Sequence, residues 1–541
     1  MNKIKKVYSN IAAWDPANYL LWMFFFLFIV LFFIVSFFHE PWGDEAQAWL
    51  IARDASYYDI IFTLPHYEGH PQLWWLILSI PAKLHMPYEL SLTVVSMLIS
   101  SVSAYLIFLK SPFCGVFKVT LPFTFFIFYQ YGVISRPYCL LVLSLFLTSV
   151  FYERKDEHPF RYVSSLLLMC ASSGFGITLA GGIVLVWCLE IIQKIKTIKD
   201  FSVFFRTKLF FSLLFLLIGV LFIIISIIPA DDIFVWANEM RKINESRNPG
   251  YTVRGRILAC LYMLFLIPAD CMLSSYGIDS DLLSFCNKIS ITDIITLLVP
   301  SLFILAYFID LTYRKGKFKL FIVPYLCFSV FSIFVYFNIY HIGILAVFFL
   351  SVMWICKNTK DDIKNGMIRK YCDVIEAIFV VSYIAVNLSW TFFCSVSDIK
   401  YDYDYGKQIY EYIVDNNYVD KNIMAMWKDY EINNEEIINT NVVYDPVSIA
   451  PYFEKNIFMN LNCKEPDTAY VLHKSSDSKR DFETWAKNIP DLLIGQVVLG
   501  EVYNGDIKIS DFSMDAQIKY CRVWKFNNLQ NEICIYKKSD F

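Results

Sequence analysis

Apolar residues run along this chain in long unbroken blocks, not at the short periods of a soluble fold. Residues 20–38, LLWMFFFLFIVLFFIVSFF, carry no charge and are long enough to cross a hydrocarbon core of roughly 30 Å. Similar blocks fall at 87–109, 116–134, 136–152, 161–176, 178–193, 207–228, 291–312, 318–337, 339–356 and 372–396. The pattern predicts an α-helical polytopic membrane protein with about eleven crossings. Two shorter apolar stretches, 71–85 and 257–275, contain Pro71, Pro81 and Pro268, and are expected to lie on the membrane surface or dip into it.

Near residue 397 the pattern turns polar, rich in Asn, Asp and Lys. Short apolar runs at 442–445, 456–461, 469–473 and 496–503 read as strands, and amphipathic pieces at 405–417 and 480–494 read as helices. The chain therefore divides into a membrane domain, 1–396, and a soluble C-terminal α/β domain, 397–541.

Composition agrees: 57% of residues are hydrophobic and 18% aromatic, with a mean hydropathy of +0.47. The net charge of -3, without a basic run, gives no ground for nucleic-acid binding. The 14 Cys form no CxxC pair and no metal-ligand spacing, so they read as small apolar fillers. Lys and Arg add an orientation. They crowd alternate connections, as in Lys194, Lys196, Lys199, Arg206 and Lys208, or Arg314, Lys315, Lys317 and Lys319. Positive charge is retained on the cytoplasmic side, which puts the N-terminus inside. The loops 39–86 and 229–290 and the C-terminal domain then share the outer face.

That face collects the residues capable of chemistry. Pro41 and Gly43 end the first apolar block, and EAQAWLIARD resumes with helical spacing at Ala48, Trp49 and Ala52. Asp44, with Glu45 beside it, opens this helix. Asp44 is expected to cap it with Gln47 closing the box, and a helix N-terminus favours the ionised carboxylate that a general base requires. His39 and Glu40 read as interface residues; Arg53 reads as a solvated or locally paired cation and is also a substrate- or phosphate-binding candidate. In YEGHPQLWW, Glu68 and His70 precede Pro71, which suits a first helical turn. Arg136, in SRPYCLLVL, stands alone between two apolar blocks, where its planar fork suits a lipid phosphate, with Tyr138 beside it. His341 opens a later block in YHIGILAVFFL, and Arg254 and Arg256 of the second outer loop are weaker phosphate candidates.

Together DEAQAWLIARD, EGHPQLWWLIL, SRPYCLLVLSL and YHIGILAVFFLSVMW resemble the GT-C superfamily of membrane glycosyltransferases. This is the group that includes protein O-mannosyltransferases and the aminoarabinose transferase acting on lipid A. The resemblance spans most of residues 15–400. It implies a multi-pass protein of a bacterial cytoplasmic membrane that moves a sugar from a polyprenyl-phosphate-linked donor to a glycan, lipid or protein acceptor. It also implies Asp44 as the acceptor-activating base, and Arg136 and His70 as contacts for the lipid phosphate. The chain departs from the group at HPQLWW, where the commoner form has paired prolines preceded by lysine. No cofactor is indicated, and no paired helix-borne carboxylates mark a divalent-metal site. A lipid-linked glycan flippase or transporter is the rival class; it would bury ionisable groups near the bilayer midplane, where these blocks have almost none.

Overall fold

The computed structural model describes residues 14–195, 205–233, 235–274, 281–359, 362, 372–426, 431–433, 436–438, 444–459, 461, 468–473, 490–495 and 512–539. Among these, eight helices are long and apolar enough to cross a membrane: Asn18–Phe38, Tyr88–Lys110, Gly174–Lys194, Lys208–Ser226, Tyr251–Met272, Ile291–Arg314, Ile339–Asn358 and Val374–Lys400. Their outward side chains are apolar, with Phe26, Phe37, Leu217, Ile218, Val299 and Phe392 largely exposed. A surface of that kind suits hydrocarbon rather than water. Ile339–Asn358 is the exception; 94% of it is buried, so it forms the centre of the bundle.

Seven of these helices coincide with expected crossings, and the other four expected blocks differ. Tyr138–Phe151 and Pro159–Ser172 have 14 residues each, about 21 Å of helix. Phe318–Phe334 has 17. The block 116–134 is not one helix. Gly115–Thr120 is α-helical, Leu121–Phe123 is a 3-10 turn, and Phe126–Val133 is π-helical. Pro122 lacks the N–H that a continuous helix needs, and the Leu121 carbonyl accepts from both the Thr124 N–H at 3.1 Å and the Thr124 hydroxyl at 2.7 Å, which closes the turn.

The eighth long helix, Tyr251–Met272, falls where a surface or dipping segment was expected. It enters the bundle: the Met263 carbonyl accepts from the Tyr325 hydroxyl at 2.6 Å, and Ser301 bridges the Leu266 carbonyl and the Ala269 N–H. A π-helical turn, Tyr262–Leu266, precedes Pro268.

The basic connections gather at one end of the bundle. There Lys317 meets Glu153, Lys155 meets Glu190, and Arg314 and Lys315 meet Asp362. The candidate site residues, apart from Arg53, gather at the opposite end, under the C-terminal domain.

That domain contains strands β1 (Ile423–Met426), β2 (Glu431–Asn433), β3 (Glu436–Ile438), β4 (Leu492–Gly495), β5 (Phe512–Trp524) and β6 (Asn527–Lys538). The main sheet has the order β1-β4-β6-β5, parallel between β1 and β4 and antiparallel elsewhere. The helix expected at 405–417 is Gly406–Asp415. Other expectations for the tail are corrected. Tyr444–Ile449 is a helix where a strand was expected, because Pro446 suits a helix's first turn and not a ladder. Among the described residues, 456–459 form no strand beyond a bridge from Phe458 to Ile423, and 469–473 form none. Residues 492–495 are strand, not helix; 480–489 and 496–503 lie outside the described residues.

The β5–β6 hairpin, absent from the sequence reading, reaches down into the membrane domain. Its turn holds Lys525 at φ 54, a left-handed conformation that costs a side-chain-bearing residue about 1–2 kcal/mol. The fully buried Lys525 ammonium donates to the carbonyls of Asp270 and Ser274, both at 2.7 Å, and to Asp270 Oδ1 at 3.4 Å. Those contacts hold the turn in place.

Candidate functional site

The site begins where Asn18–Phe38 ends and Gly43–Asp54 starts. Trp42, not Asp44, is the N-cap, and its N–H is met by Glu45 Oε2 at 3.2 Å. The longer Glu side chain, three residues on, folds back to the cap; Asp44, one residue into the helix, is released from that duty. Gln47 does not close the box. Its amide reaches Glu68 Oε1 at 2.8 Å and the Val471 backbone on both sides.

Asp44 instead pairs with Arg136, Nη1 to Oδ2 at 2.7 Å. Arg136 sits in the loop between the π-helical Phe126–Val133 and Tyr138–Phe151, and π-turns often mark such places. Three rings surround its guanidinium: Trp42 at 5.6 Å, Tyr138 at 5.2 Å and Tyr340 at 5.4 Å. Burial is the largest influence and opposes its charge, but Asp44, Tyr138 and Tyr340 together outweigh it and hold the guanidinium protonated far above the usual range. The Asp44 side chain remains 35% exposed, so the pair opens to the surface of the molecule.

Glu45 faces the other way. It is fully buried, and beyond Trp42 its carboxylate accepts from Ser135 N–H at 2.5 Å and from His39 Nε2 at 3.1 Å. His39 Nδ1 in turn meets Asp398 Oδ2 at 3.0 Å, at the end of Cys372–Lys400. The adjacent acidic pair is thus split: Asp44 can meet a ligand, whereas Glu45 is an internal brace and does not reach one. His39, expected at the membrane interface, belongs to this brace. Burial and Asp402 push the Glu40 carboxyl up to about 8, and its carboxylate accepts from Asp404 N–H.

His341 comes to the same place from the mouth of the central helix. Its Nδ1 accepts from Asn338 N–H at 3.0 Å, so Nε2 carries the proton and donates to the Tyr138 hydroxyl at 2.7 Å. Tyr138 retains its own proton to donate. Glu68 and His70 lie within electrostatic reach of Arg136 and Asp44. Gly69 between them takes φ 64, a left-handed turn that glycine adopts without strain. Burial, reinforced by Arg136, pushes His70 down to about 4, so its ring is neutral, and its Nδ1 is buried without a hydrogen-bond partner. Burial likewise raises the Glu68 carboxyl; His473 of the C-terminal domain sits 3.7 Å from it.

Arg53 is not brought to the site. It lies about 13 Å along the helix from Asp44, where it binds Asp54 at 2.6 Å and the Phe453 carbonyl at 2.7 Å. Arg256 packs on the Phe334 ring, at 5.6 Å. A surface concavity of about 370 Å³ in the 229–290 segment, lined by Arg241, Lys242, Glu245, Ser246 and Thr252, contains none of the candidate residues. Among the described residues, no three His, Cys, Asp or Glu side chains are placed to share a metal ion.

Several residues of the site are missing from the sequence reading. Trp42 and Tyr340 each adjoin a residue that was singled out, and only an aromatic neighbour signalled them. Arg522 of β5 flanks the Trp42 ring at 5.0 Å and pairs with Asp404 at 3.0 Å; nothing in its strand distinguishes it. No protein-family description, curated protein or solved structure matches the chain.

Proposed function

We propose that the protein is a membrane glycosyltransferase of the GT-C kind, moving a sugar from a polyprenyl-phosphate-linked donor to an acceptor hydroxyl at the outer membrane face. One observation carries the reading: Asp44 and Arg136, distant in the chain, meet at 2.7 Å inside an aromatic box that opens at the end of the bundle. A guanidinium has five donors, and Asp44 and Tyr340 engage only part of that set. The donor's phosphate takes the rest.

The phosphate also competes with Asp44 for Arg136. Once it binds, the Asp44 carboxylate is free to accept the acceptor's proton. The acceptor oxygen attacks the anomeric carbon, the bond from that carbon to the phosphate oxygen breaks, and the electron pair leaves with the lipid phosphate. Arg136 stabilises the charge developing there. Tyr138, held by His341, and neutral His70 add uncharged contacts beside the phosphate. Glu68, with Gln47 and His473, lies toward the C-terminal domain, on the acceptor's side. Direct displacement inverts the anomeric centre.

The test is sugar transfer by purified protein in detergent, comparing wild type with Asp44→Asn. The expected loss is about 10²- to 10⁴-fold in rate, the usual worth of a general base. An unchanged rate would remove Asp44 as the base. Absence of transfer from any polyprenyl-phosphate sugar, with lipids of that kind still copurifying, would favour the flippase class.

A further inference from the structure

The buried row Glu45–His39–Asp398 plays no part in the displacement, yet it touches both sides of the Arg136 box. Glu45 accepts from the N–H of Ser135, the residue before Arg136, and from the N–H of Trp42, whose ring forms one wall. His39 bridges Glu45 to the last long helix, with carboxylate oxygens at 3.1 Å from Nε2 and 3.0 Å from Nδ1. Carboxylates only accept. A neutral imidazole would turn one lone pair onto a carboxylate oxygen, so two donating nitrogens fit this geometry and one does not. The Tyr403 ring packs on the imidazole at 4.7 Å, and Tyr129 lies within reach of Asp398.

We propose that His39 is the positioning residue of the site. As an imidazolium donating from both ring nitrogens, it fixes Glu45, and through Glu45 the Ser135–Arg136 backbone and the Trp42 wall, against the helix that carries the C-terminal domain. Burial opposes the charge, but Glu45 and Asp398 together outweigh it and hold the imidazole up at about 10. His39 touches no reacting atom; it sets the place from which Arg136 meets a phosphate, a role that rests on the proposed function.

Two measurements on full-length protein need no substrate. In ¹⁵N-histidine NMR at pH 8, the signals absent from His39→Gln should be those of a doubly protonated ring; a neutral ring overturns the proposal. In hydrogen exchange, His39→Gln should speed exchange locally at 39–45 and 133–137; unchanged rates there overturn it as well. Should that variant not fold, Asp398→Asn, which keeps the His39–Glu45 bond, takes its place, with the same expected acceleration at 133–137. A third measurement uses undecaprenyl phosphate as the probe. Wild type should bind it, and His39→Gln should bind it about 10-fold less tightly, the worth of one or two orienting hydrogen bonds. Equal affinity overturns the positioning role. Failure of wild type to bind overturns the phosphate reading instead, and His39 is then decided by the nitrogen signals and the exchange rates.

Discussion

Two cations, Arg136 and Lys525, lie under the C-terminal domain, each against a carboxylate and among aromatic rings, and they differ in how far their donors are met. Lys525 is completely buried with Asp270, between Trp390 at 4.6 Å and Trp524 at 5.5 Å. Its three donors meet three acceptors, two of them backbone carbonyls. Nothing is left for a ligand, and the pair works as a rivet between the hairpin and the bundle. Arg136 has more donors than partners, and its carboxylate is one-third exposed. Saturation separates a structural cation from a site, whereas burial and rings do not.

The comparison breaks first, if it breaks, at Lys525. Replacing it with Met leaves the Asp270 carboxylate buried and uncompensated, which costs about 3–5 kcal/mol. Thermal unfolding in detergent should show that loss, and Lys525→Met combined with Asp270→Asn should recover part of it. Arg136→Gln should do the reverse. Water can reach Asp44, so stability should change by less than about 1 kcal/mol. Affinity for undecaprenyl phosphate should fall about 10²-fold, as expected when one partner of a charged contact is truncated. If Arg136→Gln proved as destabilising as Lys525→Met, Arg136 would be a second rivet and the site would have to lie elsewhere.

A third test sharpens the comparison through pH. The fold raises His39 from its ordinary 6.5 to about 10. The protonated ring is therefore favoured by folding: its contribution is complete below pH 6.5 and is lost as pH rises through about 10. Glu40 acts in the same direction, since its carboxyl is raised from 4.5 to about 8 and the folded state increasingly opposes its ionisation over that interval. Thermal stability should fall steadily from neutral to alkaline pH. His39→Gln should be less stable than wild type at pH 7 and should flatten the alkaline part of the curve. A wild-type curve level up to pH 10 would show that the imidazole is not charged by its neighbours.

Much of this was legible in the chain, and the unread parts share a cause. The apolar blocks marked the long helices because a bilayer demands length and uniformity. The isolated polar residues at the block ends marked Asp44, Arg136 and His341 because little else explains them there. The break at 116–134 was hidden, since a π-helical segment buried on all sides is as apolar as a crossing helix. The β5–β6 hairpin was hidden because its turn has no glycine; Lys525 adopts the left-handed conformation only once its ammonium is captured by a distant helix. The different fates of Asp44 and Glu45 were hidden too. Which of two adjacent carboxylates turns inward depends on His39, Ser135 and Asp398, and three separate segments must meet before the choice exists.

Arg53 gives the mildest and most discriminating test. It was a candidate on the same helix as Asp44, and like Arg136 it is a partly buried guanidinium beside an aspartate. Three of its five donors, however, are engaged by Asp54 and the Phe453 carbonyl, and Asp54 is itself bound by Ala469 N–H at 3.0 Å. By the saturation criterion it lies between Arg136 and Lys525, and its removal leaves Asp54 with the Ala469 N–H as a partner. Arg53→Ala should therefore cost about 1–2 kcal/mol of stability, less than Lys525→Met because Asp54 keeps the Ala469 N–H, and leave affinity for undecaprenyl phosphate within twofold of wild type. The unfolding and binding measurements used for Arg136→Gln decide it side by side. A tenfold loss of phosphate affinity in Arg53→Ala, with stability intact, would mean that counting free donors does not identify the working cation.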